Sequence, residues 1–399
     1  MAVSHSEQRN VVLLAASQAL FQTTSVLIMT IGGLAGYMLA SDKALATLPI
    51  AAMTVGTAIA TIPASLLMAR IGRRGGFILG TLLGAAGGLL GIAALLLGSF
   101  WLFCFAHMFA GAYQGFAQFY RFAAADAASV EFRSRAISLV LAGGVFAAFA
   151  GPALASVTRD LSLAGPFVAS YGAIVVVNLI ALGIVSLIRV APPPAEAFPE
   201  PARPLAVIAR QPAFVVALGG AAIGYGVMIM AMTATPLAMA DVRLDLADTA
   251  AVIRWHTLGM FVPSFFTGAL IARFGAPRIM LAGMALLMVH VTIALSGVEL
   301  LYFASALIFL GVGWNFTYVG GTALLTESYR PSEKAKVQGL NDFLILGVVV
   351  ASSLGSGVLL HHFGWSGVNL TALPFLAAAA IALGAFTLQR RSERLPGAA

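Results

Sequence analysis

The stretch Ala69-Arg70-Ile71-Gly72-Arg73-Arg74 (ARIGRR) is the most informative motif in this 399-residue chain. It is a short basic loop between two long apolar segments. The pattern returns 203 residues later as Ala272-Arg273-Phe274-Gly275, again after a long apolar segment. A loop that recurs in this way in an apolar chain indicates two similar halves built from membrane-spanning helices.

Composition supports a membrane protein. The chain is 60% hydrophobic and only 9% charged, with a mean hydropathy of +0.97, whereas a soluble domain is about 25% charged. Twelve apolar segments of about 20 residues or more recur between short loops. They lie at about 11–39, 45–69, 76–98, 100–127, 136–158, 165–189, 212–240, 248–272, 278–297, 300–328, 336–360 and 366–388. We therefore predict an all-α membrane protein with twelve transmembrane helices, and hydropathy excludes a soluble enzyme.

The positive charge fits this topology. The formal net charge is +7. With the N-terminus placed in the cytosol, all but five of the 22 Lys and Arg residues fall on the cytosolic side, as the positive-inside rule expects. We therefore predict a multi-pass protein with both termini in the cytosol, and the charge calls for no nucleic-acid partner.

A Pro-rich, charged stretch in the middle of the chain divides the twelve segments into two groups of six. Such a composition is typical of an extended linker. We predict an N-terminal six-helix bundle over residues 1–190, a cytosolic linker over 191–211 and a C-terminal six-helix bundle over 212–399. The recurring loop makes the two bundles pseudo-symmetric around a site in the middle of the membrane.

Two pairs of candidate metal ligands lie on either side of the polar stretch Asp241–Asp248. Met228-x-x-x-Met232 precedes it and His256-x-x-x-Met260 follows it. Residues four apart share one face of a helix, and both pairs are centred on residue 244. If the two helices fold as a hairpin, three thioethers and one imidazole lie at matching distances along the helices from the turn. That ligand set suits Cu(I).

The depth of these pairs supports a site inside the membrane. With a rise of about 1.5 Å per residue, the pairs lie about 18–24 Å along their helices from the centre of the turn. Subtracting about 6 Å for the protruding turn leaves about 12–18 Å, which brackets the middle of a hydrocarbon core about 30 Å thick. A histidine inside a span is costly and indicates function. The alternative is that His256 hydrogen-bonds to a neighbouring helix while the methionines fill gaps.

The basic loop at residues 69–74 also resembles a family signature. In the major facilitator superfamily the corresponding loop usually reads Asp-Arg-x-Gly-Arg-Arg, and the resemblance covers essentially the full length of the chain. It implies the major facilitator fold, with two pseudo-symmetric six-helix bundles and no prosthetic group. Ala69 stands in place of the aspartate, so the usual charge relay of the inner gate lacks one member.

The ligand pairs narrow this resemblance. M-x-x-x-M in the seventh segment followed by H-x-x-x-M in the eighth resembles the signature of the CcoA-like copper importers, a proteobacterial branch of the superfamily. The resemblance implies a secondary transporter that imports copper across the bacterial cytoplasmic membrane by alternating access, for the assembly of cbb-type cytochrome oxidase. It implies that the ion is held by four residues: Met228, Met232, His256 and Met260.

Other functions stay open. The same branch resembles riboflavin importers, so one alternative is a carrier of an organic solute, by riboflavin uptake or by proton-coupled drug efflux. A membrane copper sensor that transports nothing is another. The expected partners are the copper ion and the lipid bilayer, and we expect a monomer. The sequence has no P-loop, so it indicates neither catalysis nor ATP-driven transport.

Charged residues near the inner ends of the segments are candidates for gating or coupling: Arg70, Arg73, Arg74, Arg121, Asp126 and Asp342. Arg121 and Asp126 are five residues apart and could pair loosely. Either aspartate could carry protons or form a salt bridge in an inner gate.

Cys104, His107 and Met108 lie near the outer end of the fourth segment, with Cys104 and Met108 one helical turn apart. They could form a relay that passes metal ions inward from the periplasm. The alternative is that they pack against neighbouring helices.

Overall fold

Helices make up nearly all of the part of the chain that this computed structural model describes, which comprises residues 5–42, 45, 48–159, 161, 164–189 and 201–393. In chain order they are α1 (His5–Leu39), α2 (Leu48–Leu96), α3 (Phe100–Ala117), α4 (Tyr120–Ala127), α5 (Arg133–Ala142), α6 (Gly144–Thr158), α7 (Val168–Ser186), α8 (Leu205–Ala209), α9 (Pro212–Asp241), α10 (Leu246–Phe261), α11 (Ser264–Phe274), α12 (Ala276–Ser296), α13 (Leu300–Leu325) and α14 (Lys334–Glu393). The predicted all-α class is confirmed. Its physical reason is that a helix satisfies its own backbone hydrogen bonds inside a bilayer.

Within the described ranges, nine helical stretches are long and apolar enough to cross a membrane. Two of them, α2 and α14, bend at a glycine with positive φ and so join two consecutive helices. The two arms of each bent helix correspond to two separate predicted segments. Each of the other predicted segments coincides with one helix or with two consecutive helices of a single span, such as α3 and α4.

The recurring loop has the same backbone turn in both halves. Gly72 has φ of 80° and Gly275 has φ of 87°, and the two glycines are again 203 residues apart. A residue with a Cβ rarely adopts this conformation, whereas glycine adopts it at little cost. The turn chemistry therefore explains why glycine occupies this position in each half.

Close contact between helix backbones also recurs. A Cβ at Gly111 of α3 would collide with the backbone oxygen of Met53 in α2. In the second half, a Cβ at Gly311 of α13 would lie 2.7 Å from the backbone oxygen of His256 in α10. Small residues permit such close packing between membrane helices, so each of these helix pairs is held together by van der Waals contact along the backbone.

Three of the spans are broken helices: α3 with α4, α5 with α6, and α10 with α11. Pro263 lies at the break between α10 and α11, where proline lacks the N–H that a continuous helix needs. Asn315 of α13 covers this break, because its Nδ2 donates to the backbone oxygen of Met260 at 2.7 Å and to Oγ of Ser264 at 2.6 Å. Buried polar side chains of this kind make a break tolerable inside a membrane.

The chain divides into two compact units. The first comprises Met1–Ser129, Gly143–Pro199 and Gln338–Phe343, and the second comprises Val130–Ala142, Glu200–Val337 and Leu344–Ala399. Of the predicted linker 191–211, residues 191–200 lie outside the described part of the chain. The remainder contains α8, and Arg203 just before α8 binds Glu333 through two side-chain nitrogens at 2.8 and 2.6 Å.

Candidate functional site

The four residues predicted to bind metal lie on α9 and α10. Met228 and His256 are buried, whereas Met232 and Met260 are half-buried. The Nδ1 of His256 lies 2.8 Å from the backbone oxygen of Leu307 in α13. Because a carbonyl oxygen can only accept, Nδ1 donates and the ring's lone pair is on Nε2. Convergence of the four side chains on one ion stays a prediction.

A second buried histidine makes the same kind of contact. The Nδ1 of His290 in α12 lies 3.0 Å from the backbone oxygen of Ala306, next to the residue that His256 contacts. Both histidines therefore tie a neighbouring helix to the backbone of α13, which is the hydrogen-bonding role that the sequence left open for His256. Among the residues that the structure describes, no group of three or more His, Cys, Asp or Glu side chains is placed to hold a metal ion.

In the basic loop after the first arm of α2, one arginine is buried and two are exposed. Arg70 and Arg74 are exposed, whereas Arg73, which directly follows the turn at Gly72, is buried. The Nε of Arg73 binds Oδ2 of Asp126 at 3.0 Å, and its Nη2 donates to Oε1 of Gln338 at 2.5 Å. The three arginines of the motif are therefore not equivalent.

Arg121 and Asp342 form a buried ion pair in the same unit. Nη2 of Arg121 lies 2.6 Å from Oδ1 of Asp342, and the two side chains are 3% and 5% exposed. Arg121 also donates to the backbone oxygen of Gln118 at 2.9 Å, and its guanidinium lies 4.6 Å from the ring centre of Phe122. Sequence spacing suggested Asp126 as the partner of Arg121, and it could not reveal the bond to Asp342, 221 residues away.

Of the three residues of the candidate outer relay, Cys104 and His107 are buried in the first unit and Met108 is half-buried. Nδ1 of His107 donates to the backbone oxygen of Phe103 at 2.8 Å, so Nε2 accepts from the hydroxyl of Tyr171 at 3.1 Å. Cys104 is also buried. Both ring nitrogens of His107 are engaged, and a metal ion at Nε2 would have to displace Tyr171. The relay itself stays a prediction.

Four aromatic residues form a further group that was not predicted from the sequence and that we call the aromatic cluster: Tyr225 of α9, Phe261 of α10, and Trp314 and Tyr318 of α13. Trp314 and Tyr318 are stacked, with ring centres 5.0 Å apart and planes 16° apart. Tyr225 stands edge-on to both at 5.4 Å, and Phe261 stands edge-on to Trp314 at 5.9 Å. Two rings at i and i+4 in the middle of an apolar segment were the available sequence signal.

Comparison with known proteins identifies both a family and relatives. A family model described as Major Facilitator Superfamily matches residues 12–253 and 216–398. The chain is 40% identical over 379 residues to the riboflavin transporter RfnT of Brucella anthropi, a match that covers 94% of this chain and 95% of that protein. The riboflavin transporter RibZ of Clostridioides difficile is 23% identical over 172 residues, which are 41% of this chain and 37% of that protein.

A solved structure shares the fold. The E. coli fucose:proton symporter FucP superimposes with a TM-score of 0.74, covering 95% of this chain and 98% of that chain at 17% identity. At this level of identity the likeness concerns the fold alone. It confirms the predicted major facilitator fold.

The prediction of copper import is wrong. A riboflavin transporter is 40% identical over 94% of the chain. The resemblance to a copper-importing branch depended on only four residues: Met228, Met232, His256 and Met260. Residues four apart share a helix face whatever that face contacts. Methionine is also a common gap-filling residue in apolar helices, so this spacing did not identify the substrate.

Proposed function

Because the chain belongs to the major facilitator superfamily, whose members are membrane transporters and not enzymes, we propose that it imports riboflavin across the bacterial cytoplasmic membrane. The observation that carries this proposal is the 40% identity to a riboflavin transporter over 94% of the chain. Location in the inner membrane, cytosolic termini and a monomeric transporter belong to the same proposal, the termini on the strength of the Lys and Arg distribution.

The chemistry of riboflavin agrees with the side chains available. Riboflavin is uncharged at neutral pH and consists of a flat three-ring isoalloxazine and a ribityl chain with several hydroxyl groups. Sites for such molecules combine apolar and aromatic walls with a few hydrogen-bonding groups. The first unit has amide and hydroxyl groups in the middle of its spans, such as Gln114 and Thr57, whose side chains are 3.3 Å apart. The second unit has the aromatic cluster.

The expected mechanism is alternating access, in which two six-helix bundles open the substrate site to one side of the membrane at a time. We assign the contacts of Arg73 with Asp126 and Gln338 to the inner gate. Ala69 replaces the aspartate of the family signature, and Gln338 supplies Arg73 with a second partner beside Asp126. The buried pair of Arg121 and Asp342 is the second assigned element of this gate.

Uptake of radioactive riboflavin tests the proposed function. A riboflavin-auxotrophic bacterium that lacks its own importer would express the chain, and accumulation would be compared with cells carrying the empty vector. We expect saturable uptake that excess unlabelled riboflavin abolishes and free ribitol leaves unchanged. Vector-level accumulation, with the protein demonstrably in the membrane, would contradict the proposal. Everted vesicles that load riboflavin faster than right-side-out vesicles would instead indicate efflux.

A further inference from the structure

The members of the aromatic cluster lie near the middle of their helical stretches. Tyr225 lies near the midpoint of α9, and Trp314 near the midpoint of α13. Phe261 ends α10 at the break before Pro263, in the middle of the stretch Asp248–Phe274. Substrate sites of secondary transporters lie near the bilayer midplane and often involve interrupted helices. The cluster meets both conditions.

One polar group in the cluster has no partner. Trp314 is 3% exposed, and its Nε1 makes no hydrogen bond to any residue that the structure describes. Most buried polar side-chain atoms are hydrogen-bonded, and a buried donor left unsatisfied is destabilising. By contrast, the buried Trp365 of the same unit donates its Nε1 to the backbone oxygen of Ala294 at 3.1 Å. The indole N–H of Trp314 is therefore available to a ligand.

The cluster also has an accessible member. Tyr225 is half-buried, whereas Phe261, Trp314 and Tyr318 are 6%, 3% and 4% exposed. Tyr225 stands edge-on against both stacked rings, so a ligand that binds against Trp314 and Tyr318 requires this side chain to move aside. A flat aromatic ligand could occupy that surface in stacked or edge-to-face contact, the arrangements that aromatic rings prefer.

We propose that the aromatic cluster binds the isoalloxazine ring of riboflavin, with Nε1 of Trp314 donating to an acceptor on the ring and Tyr225 contacting the ring system. This inference rests on the proposed function and adds the residues that recognise the substrate. Isoalloxazine presents two carbonyl oxygens and unprotonated ring nitrogens at its edge, so it offers acceptors that a single indole donor can use. Hydroxyl and amide groups outside the cluster would bind the ribityl chain.

Fluorescence binding to the purified protein tests the assignment. Riboflavin absorbs at the wavelengths where tryptophan emits, so its binding quenches tryptophan emission. The ligands are riboflavin, lumichrome, which keeps the three-ring system without the ribityl chain, and ribitol, which has no ring. The variants are Trp314→Phe and Tyr225→Leu. Trp365→Phe is the matched control, because it also removes a buried indole of the second unit but lies outside the cluster. Thermal unfolding of each variant verifies folding.

We expect lumichrome to compete with riboflavin and ribitol not to compete. Trp314→Phe should weaken riboflavin binding up to about tenfold, because it keeps an aromatic ring but removes the indole donor. Tyr225→Leu should weaken binding about tenfold, within the range that one base–aromatic stacking contact contributes, while Trp365→Phe stays within about twofold of wild type. Riboflavin uptake by wild type with unchanged affinity in both cluster variants would overturn the site and leave the proposed function intact. Wild-type protein that neither binds nor takes up riboflavin would overturn both. Should Trp314→Phe fail to fold, Tyr225→Leu together with lumichrome competition decides the question.

Discussion

Replacing Asp342 by alanine should destabilise the protein by about 3–5 kcal/mol, because it removes the carboxylate that lies against the buried charge of Arg121. The two side chains are 3% and 5% exposed and lie 2.6 Å apart. At an effective dielectric constant of about 20, opposite charges about 4 Å apart attract by about 4 kcal/mol. Without the carboxylate, Arg121 keeps the backbone oxygen of Gln118 and the ring of Phe122, which carry no formal charge.

The assay is unfolding in detergent, followed by intrinsic tryptophan fluorescence during titration with a denaturing detergent. Arg390→Ala is the control for an exposed pair, because Arg390 and Glu327 are 31% and 47% exposed and such pairs contribute at most about 1 kcal/mol. The double variant Arg121→Met/Asp342→Leu should recover most of the loss, since it removes both buried charges and fills the space with apolar side chains.

Two results would refute this reasoning. A loss in Asp342→Ala no larger than that in Arg390→Ala would show that the buried pair does not stabilise the fold. A double variant as unstable as Asp342→Ala would show that the loss comes from packing and not from the stranded charge.

Three further predictions concern the loops and the helix contacts. Hydrogen bonds from Arg203 hold the pKa of Glu333 at about 2, below the ordinary 4.5. The stabilisation that the Glu333 carboxylate gives the fold is therefore complete above about pH 4.5 and is lost as the pH falls toward 2. Glu333→Gln should make the free energy of unfolding depend less on pH over that range. Gly111→Leu should lower the stability by about 3 kcal/mol, the upper end of the usual overpacking range, because it forces apart helices in backbone contact. Gly172→Leu, where a Cβ meets no atom within 4 Å, should be near neutral in thermal unfolding. Arg73→Ala should lower riboflavin uptake severalfold at equal membrane levels, while the exposed Arg74→Ala should match wild type; equal rates would contradict the gate assignment.

Hydropathy and glycine placement allowed most of the fold to be predicted. The bilayer demands helices of a set length, so apolar segment length alone indicated the spans. The repeated loop could also be predicted from local sequence, because Gly72 and Gly275 form a backbone turn that residues with a Cβ rarely adopt. Breaks were harder to predict. Proline at 263 signals one, but the other two spans break without such a marker.

Side-chain partners distant in sequence could not be predicted in this way. Arg73 binds Gln338 from 265 residues away and Arg121 binds Asp342 from 221 residues away. A local pattern indicates which residues share a helix face, but which two faces meet depends on the packing of all the helices together. The spacing of Arg121 and Asp126 suggested a loose pair, which stays a prediction. The bonds of Arg121 to Asp342 and of Arg73 to Asp126 are what the tertiary structure adds.

A helical membrane protein and the positions of its spans could be predicted from the amino-acid sequence, because span length follows from the rise per residue and the thickness of the bilayer. The depth of the candidate residues stays a prediction. The tertiary structure decided what those residues contact. Rotation of a helix about its axis is set by packing, and it directs His256 to the backbone of α13. The same packing gathers three aromatic helix faces around Trp314, a juxtaposition that no single segment encodes.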